Sequence, residues 1–379
     1  MASDGSEIRS IEAQIYRCPV DEPFGYAKGF ITVRESAVVR LVTADGTVGW
    51  GEAYAPAEAT AAVIETIGPG FIEWSVFERA AIITEHATRC GDGLPSAPTA
   101  AALSAIALAS LDAAGQMLGR PAWTLLGGVA DPPFRVYASA LWFHQAANPT
   151  AHYGNALRKA QEEGFTAVKA KIGLGVDDDL ETIRSLGAAT NGLVVMLDAN
   201  QAYDAHDAGI VSGVAGDTGI FWLEEPLPPD RLEDYAALRT TSAVPIAAGE
   251  TVTSVPHARR WLDAKATDIF QPDVCLVGGL ESAAVITELA EGVGVVLAPH
   301  CFGLGIGLAS SLHWAAVIAA VSGSERPTWL EVDTSPNPAR DALLADASWF
   351  LAGGTAITLP DEPGLGIPDL RCIAEFRVR

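Results

Sequence analysis

The stretch "AVKAKIGLGVDDDLETIRSLGAATNGLVVMLDAN", residues 167–200, contains the pattern that decides the fold. Two short apolar runs, "AVKAKIG" and "LVVMLDAN", enclose an amphipathic segment with helical period. A buried strand, a helix and a second buried strand in this order form a β/α/β unit, in which the two strands lie parallel. The same alternation continues on both sides of the stretch, so this unit is one of a series.

Eight apolar runs of this kind follow one another from about residue 134: "FRVYASA", "AVKAKIG", "LVVMLDAN", "IFWLEEP", "PIAAGET", "DIFQPDV", "VVLAPHC" and "TWLEVDT". Amphipathic segments separate them, and one segment begins with Asn148 as an N-cap and Pro149 at the first helical position. Eight strands that alternate with helices predict α/β architecture and a parallel (β/α) barrel. A doubly wound open sheet is the alternative, but it gives no reason why so many runs end in a polar residue.

The first 130 or so residues have a different pattern. The stretch "AVVRLVTADGTVGWGEAY" (residues 37–54) alternates and turns at Asp45 and Gly46, which predicts a hairpin, and alanine-rich helical sequence follows over residues 57–118. Strands followed by helices predict an α+β domain. The stretch "ITLPDEPGLGIPDL" predicts an extended tail that returns to this domain. We therefore predict an α+β domain over residues 1–130, a barrel over 131–345 and a C-terminal segment over 346–379.

Composition and charge limit the function classes. The chain has 379 residues and a formal net charge of −23, which disfavours non-specific binding to nucleic acid or to an anionic membrane surface. The first ten residues lack an apolar signal segment. The apolar stretch of residues 101–115 contains Asp112 and is predicted to be a buried helix, too short to span a bilayer. The cysteines are scattered without a CxxC pair, which is typical of a reducing cytoplasm. They are Cys18, Cys90, Cys275, Cys301 and Cys372.

Ionisable residues at the ends of the apolar runs are the strongest functional signal. They are Lys171, Asp198, Glu224, Glu250, Asp273 and His300, with Glu331 on the eighth run. Their spacing is roughly one β/α unit of a barrel of about 250 residues, so each is expected at the C-terminal mouth, where such barrels carry their chemistry. A single acidic strand end is as readily explained as a cap for the next helix. Seven ionisable residues in register are not explained in this way.

Three of these acids, Asp198, Glu224 and Glu250, come from neighbouring strands and are expected to converge. Three carboxylates cannot share a dry pocket without a compensating cation. Hard oxygen ligands of this kind favour Mg²⁺, for which Mn²⁺ can substitute. The sequence therefore predicts a divalent metal site at the mouth.

Two pairs of residues, one on each side of that site, are each expected to supply a base. Lys169 and Lys171 face the same side of their strand, and we expect their mutual repulsion to lower the pKa of each, so that one acts as a base and the other binds a substrate carboxylate. Across the mouth, Asp273 is expected to fix the tautomer of His300 and to raise its basicity. Acceptors on both faces of an enediolate predict either racemisation or loss of a β-leaving group, which His300 would protonate.

The ordered motifs "VGWGE", "PAWTLLGG", "KAK", "LDAN", "LEEP", "AAGE", "QPD", "GGL", "APH" and "LPDEPGLGI" resemble the enolase superfamily and, within it, the mandelate racemase subgroup. The resemblance implies a capping domain over a (β/α)7β barrel, that is, a modified TIM barrel. It also implies Mg²⁺ at the three acids, bases at Lys171 and at His300 paired with Asp273, and Glu331 as a donor to the substrate carboxylate or enediolate. Asn200, in "DAN", matches a position that contacts substrate in relatives.

The resemblance further implies that the capping domain determines specificity. Its loop over residues 20–35 is expected to close over the mouth, which makes Tyr26 and Lys28 candidate substrate contacts. Tyr54, just after the hairpin, is another candidate, as are Trp142 and His144 just past the first barrel strand. The alternative for each of them is an ordinary loop or packing residue.

The sixth strand, "QPDVCLVGG", has no lysine, which argues against the muconate-lactonising and dipeptide-epimerase branch. The phrases "IGLGVDDDL" and "DTSPNPARD" resemble acid-sugar dehydratases and galactarolactone cycloisomerases. The predicted function is Mg²⁺-dependent dehydration of an aldonate or aldarate to a 2-keto-3-deoxy acid. A racemase, epimerase or lactone cycloisomerase is the alternative, and a non-catalytic metal-binding protein is disfavoured by the intact set of bases and ligands. Because homologous barrels commonly assemble, we also expect a homo-oligomer that binds a small carboxylate substrate.

Overall fold

The computed structural model describes residues 4–78, 81, 88, 95–323, 325–350 and 356–379. These residues form a four-stranded antiparallel sheet and an eight-stranded parallel sheet that nearly closes into a barrel. The predicted fold class is therefore confirmed. Most of residues 79–94 of the predicted helical stretch, Cys90 among them, lie outside the described residues.

The N-terminal strands and helices are called the cap below. They are β1 (Ile8–Tyr26), β2 (Gly29–Thr43), β3 (Val48–Ala53), α1 (Ala57–Ile67) and α2 (Ala97–Leu118). The three strands are antiparallel in the order β3-β2-β1, and the turn predicted at Asp45 and Gly46 joins β2 to β3. Gly46 has a φ of 92° in this turn, a conformation that a residue without a Cβ adopts readily.

Helix α2 packs directly on β3, and two glycines make the close approach possible. An ideal Cβ on Gly49 would lie 2.0 Å from the carbonyl oxygen of Ala109, and one on Gly51 would lie 2.0 Å from that of Ala105. The backbones of strand and helix therefore touch without side chains between them.

We expect Gly51→Ala to destabilise the protein by about 1–3 kcal/mol, because the added methyl group forces the helix and the strand apart. Gly154→Ala is the matched control, since a Cβ there meets nothing within 4 Å. The free energy of unfolding, measured by urea denaturation, should fall for the first variant and stay level or rise slightly for the second. Equal stability of the two variants would contradict the packing described here.

Helix α2 has 22 residues and is the one helix in the described part of the chain that is long and apolar enough to cross a membrane. The expectation that this stretch is too short to span a bilayer was therefore wrong, because the helix extends beyond residues 101–115 at both ends. Its most apolar window is nevertheless 83% buried. Within it, Asp112 accepts hydrogen bonds from the backbone N–H groups of Trp50 and Leu365. The predicted burial of this helix is thus observed.

A short helix, α3 (Ala122–Leu125), leads into the barrel. The barrel strands are β4 (Phe134–Leu141), β6 (Ala167–Lys171), β7 (Val194–Asp198), β8 (Leu223–Glu224), β9 (Ile246–Ala248), β10 (Ile269–Phe270), β11 (Val296–Leu297) and β12 (Thr328–Asp333). Seven helices lie between them: α4 (Tyr153–Glu162), α5 (Val176–Ala188), α6 (Ala205–Asp217), α7 (Leu232–Thr241), α8 (Val255–Asp263), α9 (Gly279–Val293) and α10 (Ile306–Ser322). The parallel order is β11-β10-β9-β8-β7-β6-β4-β12, which is a (β/α)7β arrangement.

Not every predicted strand end coincides with the last residue of a strand. Lys171 and Asp198 do end β6 and β7, and Glu224 ends β8. The strands β9, β10 and β11 are shorter than the apolar runs, so Glu250, Asp273 and His300 follow them in the loops. Glu331 lies within β12. The apolar runs extend past the paired residues because the first loop residues are also buried.

The end of the chain lies against the cap. Helix α11 (Pro338–Ala345) follows β12, and a 3₁₀ segment covers Leu370–Phe376. The N–H of Val378 donates to the carbonyl of Ile15 at 2.8 Å, so the chain end pairs with β1. The exact domain boundaries stay a prediction.

A carboxylate of the cap also closes the start of a barrel helix. Glu52 in β3 accepts hydrogen bonds from the N–H groups of Leu304 at 2.5 Å and Gly307 at 3.0 Å. These amides lie at the N-terminus of α10, where backbone donors lack partners within the helix and where negative charge is favourable. The side chain is only 2% exposed.

Candidate active site

Side chains of the barrel strands form two layers inside the barrel. The first layer is an apolar cluster with one residue from each strand or the position beside it: Tyr137, Ala167, Met196, Trp222, Ala247, Ile269, Ala298 and Trp329. Two positions further along each strand lie Ser139, Lys169, Asp198, Glu224, Gly249, Gln271, His300 and Glu331. Side chains two apart on a strand face the same side, so the second layer lies above the first, toward the C-terminal mouth. This alternation brings the predicted polar residues together.

The three predicted metal ligands meet in this layer. Asp198, Glu224 and Glu250 each offer a carboxylate oxygen, and these oxygens lie within 4.8 Å of one another. Alternation alone would point position 250 outward. Gly249 has a φ of 137°, and this turn directs Glu250 toward the other acids. A Cβ on Gly249 would lie 2.8 Å from the Phe270 ring, which leaves no room for another residue type there.

The electrostatics of these acids fit a divalent cation. Burial opposes ionisation of Asp198, but the two lysines outweigh it and hold the pKa of Asp198 well below its usual range. Burial raises the pKa of Glu224 to about 8. A fourth acid, Glu225, is 1% exposed, and its Oε1 has no hydrogen-bond partner among the described residues. Burial and the nearby Glu250 raise the pKa of Glu225 well above its usual value. Crowded hard oxygen donors of this kind favour Mg²⁺.

The structure corrects the expectation for Lys169. Its Nζ lies 2.5 Å from Glu224 Oε1, 2.8 Å from Glu331 Oε1 and 3.6 Å from Asp198 Oδ2. Burial lowers the pKa of an ammonium group, but these acids outweigh burial and raise the pKa of Lys169 well above its usual value. The expected lowering by mutual repulsion was therefore wrong for Lys169. This lysine stays charged and binds the acids together.

Lys171 lies at the edge of the site and has fewer acidic neighbours. Its Nζ is 2.6 Å from Asp198 Oδ2 and 4.5 Å from the centre of the Trp142 ring. The Tyr26 ring lies at 5.9 Å. The hydroxyl of Tyr153 donates to the backbone carbonyl of Lys171 at 2.8 Å and fixes the end of the strand.

His300 and Asp273 form the predicted pair. His300 Nδ1 is 2.7 Å from Asp273 Oδ2, and the N–H of Cys275 donates to Asp273 Oδ1 at 2.7 Å. His300 Nε2 is 3.5 Å from Glu250 Oε2. Burial opposes protonation of the imidazole, but Glu250 and Asp273 outweigh it and raise the pKa of His300 to about 10.

The two candidate bases contact opposite ends of the acid trio. Lys171 contacts Asp198, which ends β7, whereas His300 contacts Glu250, which follows β9. Glu224, at the end of β8, lies between these two acids in the sheet order. A substrate held at the acids would therefore have a group that can transfer a proton on each side.

We expect Asp273→Asn to lower kcat about 10–100-fold, because an amide no longer fixes the imidazole tautomer through an ionised acceptor. The asparagine oxygen can still accept from the Cys275 N–H, so the loop should keep its shape. Asp263→Asn, at the exposed end of α8, is the control. Steady-state kinetics on the best substrate measures the effect, and unchanged kcat in both variants would contradict the proposed role of the pair.

A chamber of about 250 Å³ opens beside the acids. Its walls consist of Tyr26, Lys28, Ile31, Tyr54, Trp142, Lys171, Asn200, Gln201, Glu250, Thr251, His300, Phe302 and Glu331. Five predicted substrate contacts therefore lie in the walls. The buried Oδ1 of Asn200 has no partner in the described part of the chain. A larger cleft of about 910 Å³ lies between the cap and the C-terminal segment, but none of the predicted site residues lines it.

His144 is not in these walls, so the structure does not support its prediction as a substrate contact. It belongs to a two-residue strand, β5 (Phe143–His144), which pairs with Phe24 and Gly25 of β1 in the cap sheet. Its exposed ring stacks on His152 with ring centres 3.6 Å apart. Position 144 follows Trp142 on the same face of an ideal strand, but the chain joins the cap sheet at this point.

Four wall residues were not predicted: Ile31, Gln201, Thr251 and Phe302. Gln201 and Thr251 directly follow predicted residues, Asn200 and Glu250, so proximity to a strand end was the available signal. Gln201 has a φ of 69°, in a region that residues with a Cβ rarely occupy and that clusters at functional sites. Its amide donates to Glu225, and its carbonyl accepts from Lys28 at 2.5 Å.

Comparison with known proteins gives a consistent result. A family model described as "Enolase C-terminal domain-like" matches residues 152–368, and one described as "Mandelate racemase / muconate lactonizing enzyme, N-terminal domain" matches residues 10–127. The chain is 32% identical over 376 residues to the D-galactarolactone cycloisomerase of Agrobacterium fabrum, which covers 98% of this chain and 99% of that protein. It is 28% identical over 353 residues to the D-xylonate dehydratase of Haloferax volcanii, with coverage of 87% and 82%.

A solved structure agrees in fold over nearly the whole length. It is the 3,6-anhydro-D-galactonate cycloisomerase of Zobellia galactanivorans, with a TM-score of 0.85 and 29% sequence identity. The match covers 99% of this chain and 100% of that chain.

Proposed function

Because the chain belongs to the enolase superfamily and, within it, to the mandelate racemase subgroup, we propose that it eliminates a β-oxygen substituent from a sugar acid. The relatives described above are enzymes of the lyase or isomerase type. The product would be a 2-keto-3-deoxy acid. The observation that carries the proposal is the position of Lys171 and His300 at opposite ends of one carboxylate trio.

Members of the superfamily bind Mg²⁺, and Asp198, Glu224 and Glu250 are the residues that would hold it in this chain. A bound Mg²⁺ would supply positive charge to the substrate carboxylate and so make its α proton easier to remove. Lys169 already joins Glu224 to Glu331 and would add a second fixed positive charge beside the substrate carboxylate. Glu331 also accepts from the N–H of Cys301 at 3.3 Å, which fixes its carboxylate at the edge of the chamber.

The two bases divide the proton transfers. One of the pair Lys171 and His300 takes the α proton, and the electron pair of the broken C–H bond becomes the enediolate. The bond from the β carbon to oxygen then breaks, and the other member of the pair protonates the departing oxygen. The resulting enol becomes the 2-keto acid by taking a proton on its β carbon and releasing the proton of its hydroxyl group, so that no oxidant or reductant is needed.

The departing oxygen distinguishes two reactions. It is a hydroxyl group in a dehydration, the reaction that the sequence favours, and a ring oxygen in a cycloisomerisation. The chamber walls favour the second reaction, because Tyr26, Tyr54, Trp142 and Phe302 are aromatic. A ring-closed sugar acid has fewer hydroxyl groups to satisfy and a C–H-rich face that packs on aromatic rings. The similarity to two cycloisomerases supports the same choice.

The test is a screen of the Mg²⁺-loaded enzyme in D₂O against open-chain aldonates and aldarates, their lactones and anhydro-sugar acids. Semicarbazide reports 2-keto products, and NMR reports deuterium at the α carbon. A keto product from the ring-closed acids alone supports cycloisomerisation, and one from open-chain acids supports dehydration. Exchange with inversion and without a keto product would instead identify a racemase or epimerase. Absence of α-proton exchange with every acid would overturn the proposal.

A further inference from the structure

A buried arginine of the cap reaches into the mouth of the barrel. Arg34, on β2, is 5% exposed. Its Nη2 lies 2.9 Å from Asp333 Oδ2 and its Nη1 donates to Ser335 Oγ at 2.7 Å. Asp333 is the last residue of β12, two positions beyond Glu331. The guanidinium therefore ties the cap to the strand that also carries a residue of the chamber.

The same guanidinium packs against a residue of the chamber wall. Its central carbon is 3.7 Å from the centre of the Phe302 ring, within the range of a cation–π contact. Phe302 contacts Trp142, with ring centres 5.7 Å apart, and the Trp142 ring lies 4.5 Å from the Lys171 ammonium. Continuous contacts thus run from Arg34 through two aromatic rings to a candidate base.

Neutralisation of the Asp333 charge does not depend on Arg34 alone. Asp333 already has a second buried partner, because Arg340 Nη1 lies 2.8 Å from the same Oδ2. The N–H and the hydroxyl of Ser335 both donate to Asp333 Oδ1. Removal of Arg34 would therefore leave Asp333 paired and hydrogen-bonded, which limits the loss of stability.

We infer that Arg34 is a positioning residue, which acts from the cap through Phe302 and Trp142 to place Lys171 at the edge of the chamber. The inference rests on the proposed function, in which Lys171 exchanges a proton with the substrate. A planar guanidinium stacks on a ring and holds a carboxylate and a hydroxyl at fixed angles, which a lysine cannot reproduce. A displacement of about 1 Å in such an arrangement can cost about 100-fold in rate.

The kinetic test is a double-mutant cycle. We expect Arg34→Met and Phe302→Leu each to lower kcat about 10–100-fold, with Arg34→Lys close to Arg34→Met. If Arg34 acts through Phe302, the double variant should be no slower than the slower single variant, because both changes interrupt the same contacts. Multiplicative effects of the two changes on kcat would overturn the inference, as would full activity of Arg34→Lys. Arg40→Met, on the same strand but with an exposed ion pair to Glu12, is the control and should keep wild-type kcat.

Hydrogen exchange provides a second readout that requires no substrate. Arg34→Met should speed amide exchange in peptides that cover residues 139–144 and 300–304, whereas Arg40→Met should leave both unchanged. Unchanged exchange in both peptides of the Arg34 variant would overturn the inference. A wild-type enzyme without α-proton exchange on any acid would instead count against the proposed function, while this measurement still tests the contacts of Arg34.

Discussion

Replacement of Lys171 by alanine is expected to lower kcat about 10³-fold, within the range of about 10²–10⁴ that a positioned general acid or base contributes. The side chain contacts Asp198, and Asp198 keeps Lys169 at 3.6 Å when Lys171 is removed, so the fold should tolerate the change. The measurement is the rate of α-deuterium exchange together with product formation, on the best substrate of the screen.

Lys159→Ala is the matched control for this variant. Lys159 lies on α4, its side chain is 76% exposed, and its ion pair with Glu163 at 3.7 Å is an ordinary surface pair. Its removal should leave kcat and thermal stability unchanged. If Lys171→Ala retained kcat within a few-fold of wild type, Lys171 would not be a base, and the proposed division of the proton transfers would fail.

The second large effect concerns the metal. Chelation with EDTA is expected to abolish activity, and Mg²⁺ at about 100 times its dissociation constant should stabilise the wild-type protein by about 2.7 kcal/mol. Glu250→Gln should lose most of this stabilisation because one hard anionic ligand is gone. The same variant should be more stable than wild type without metal, since one of the mutually repelling carboxylates is removed.

Thermal unfolding with and without Mg²⁺ measures both effects, and Glu162→Gln, at the exposed end of α4, is the control. A Mg²⁺-dependent shift that is equal in wild type and Glu250→Gln would show that the three acids do not hold the ion. Isothermal titration with Mn²⁺ gives an independent value for the affinity.

The pattern of apolar runs was sufficient to predict the barrel and the acids at its mouth. One β/α unit between successive ionisable residues places Lys171, Asp198 and Glu224 at equivalent strand ends, and the structure has them there. This works because parallel strands of similar length end at one edge, so that equal spacing along the chain becomes proximity in space. The resemblance to the family supplied the (β/α)7β arrangement and the expected roles of the site residues.

Other features depend on contacts between distant parts of the chain. The pKa of Lys169 was predicted in the wrong direction because the sequence shows Lys171 beside it, whereas Glu224 and Glu331 approach from other strands. His144 was misplaced because the chain joins the cap sheet through β5. Arg34 and Phe302 are far apart in sequence and meet only where the cap closes on the barrel. The residue pattern along one strand does not show which residues of distant segments will contact it.

The carboxylate of Glu52 has a consequence for the cooperativity of the molecule. The side chain belongs to the cap, yet it binds the first amides of the barrel helix α10, and the loop that it anchors also holds the imidazole of His300. If the cap unfolded alone, the buried amides of Leu304 and Gly307 would lose their acceptor, and if the barrel unfolded alone, the buried carboxylate of Glu52 would lose its donors. Heating should therefore give one calorimetric transition for the whole molecule, and excision of the barrel should yield a protein without a native state of its own.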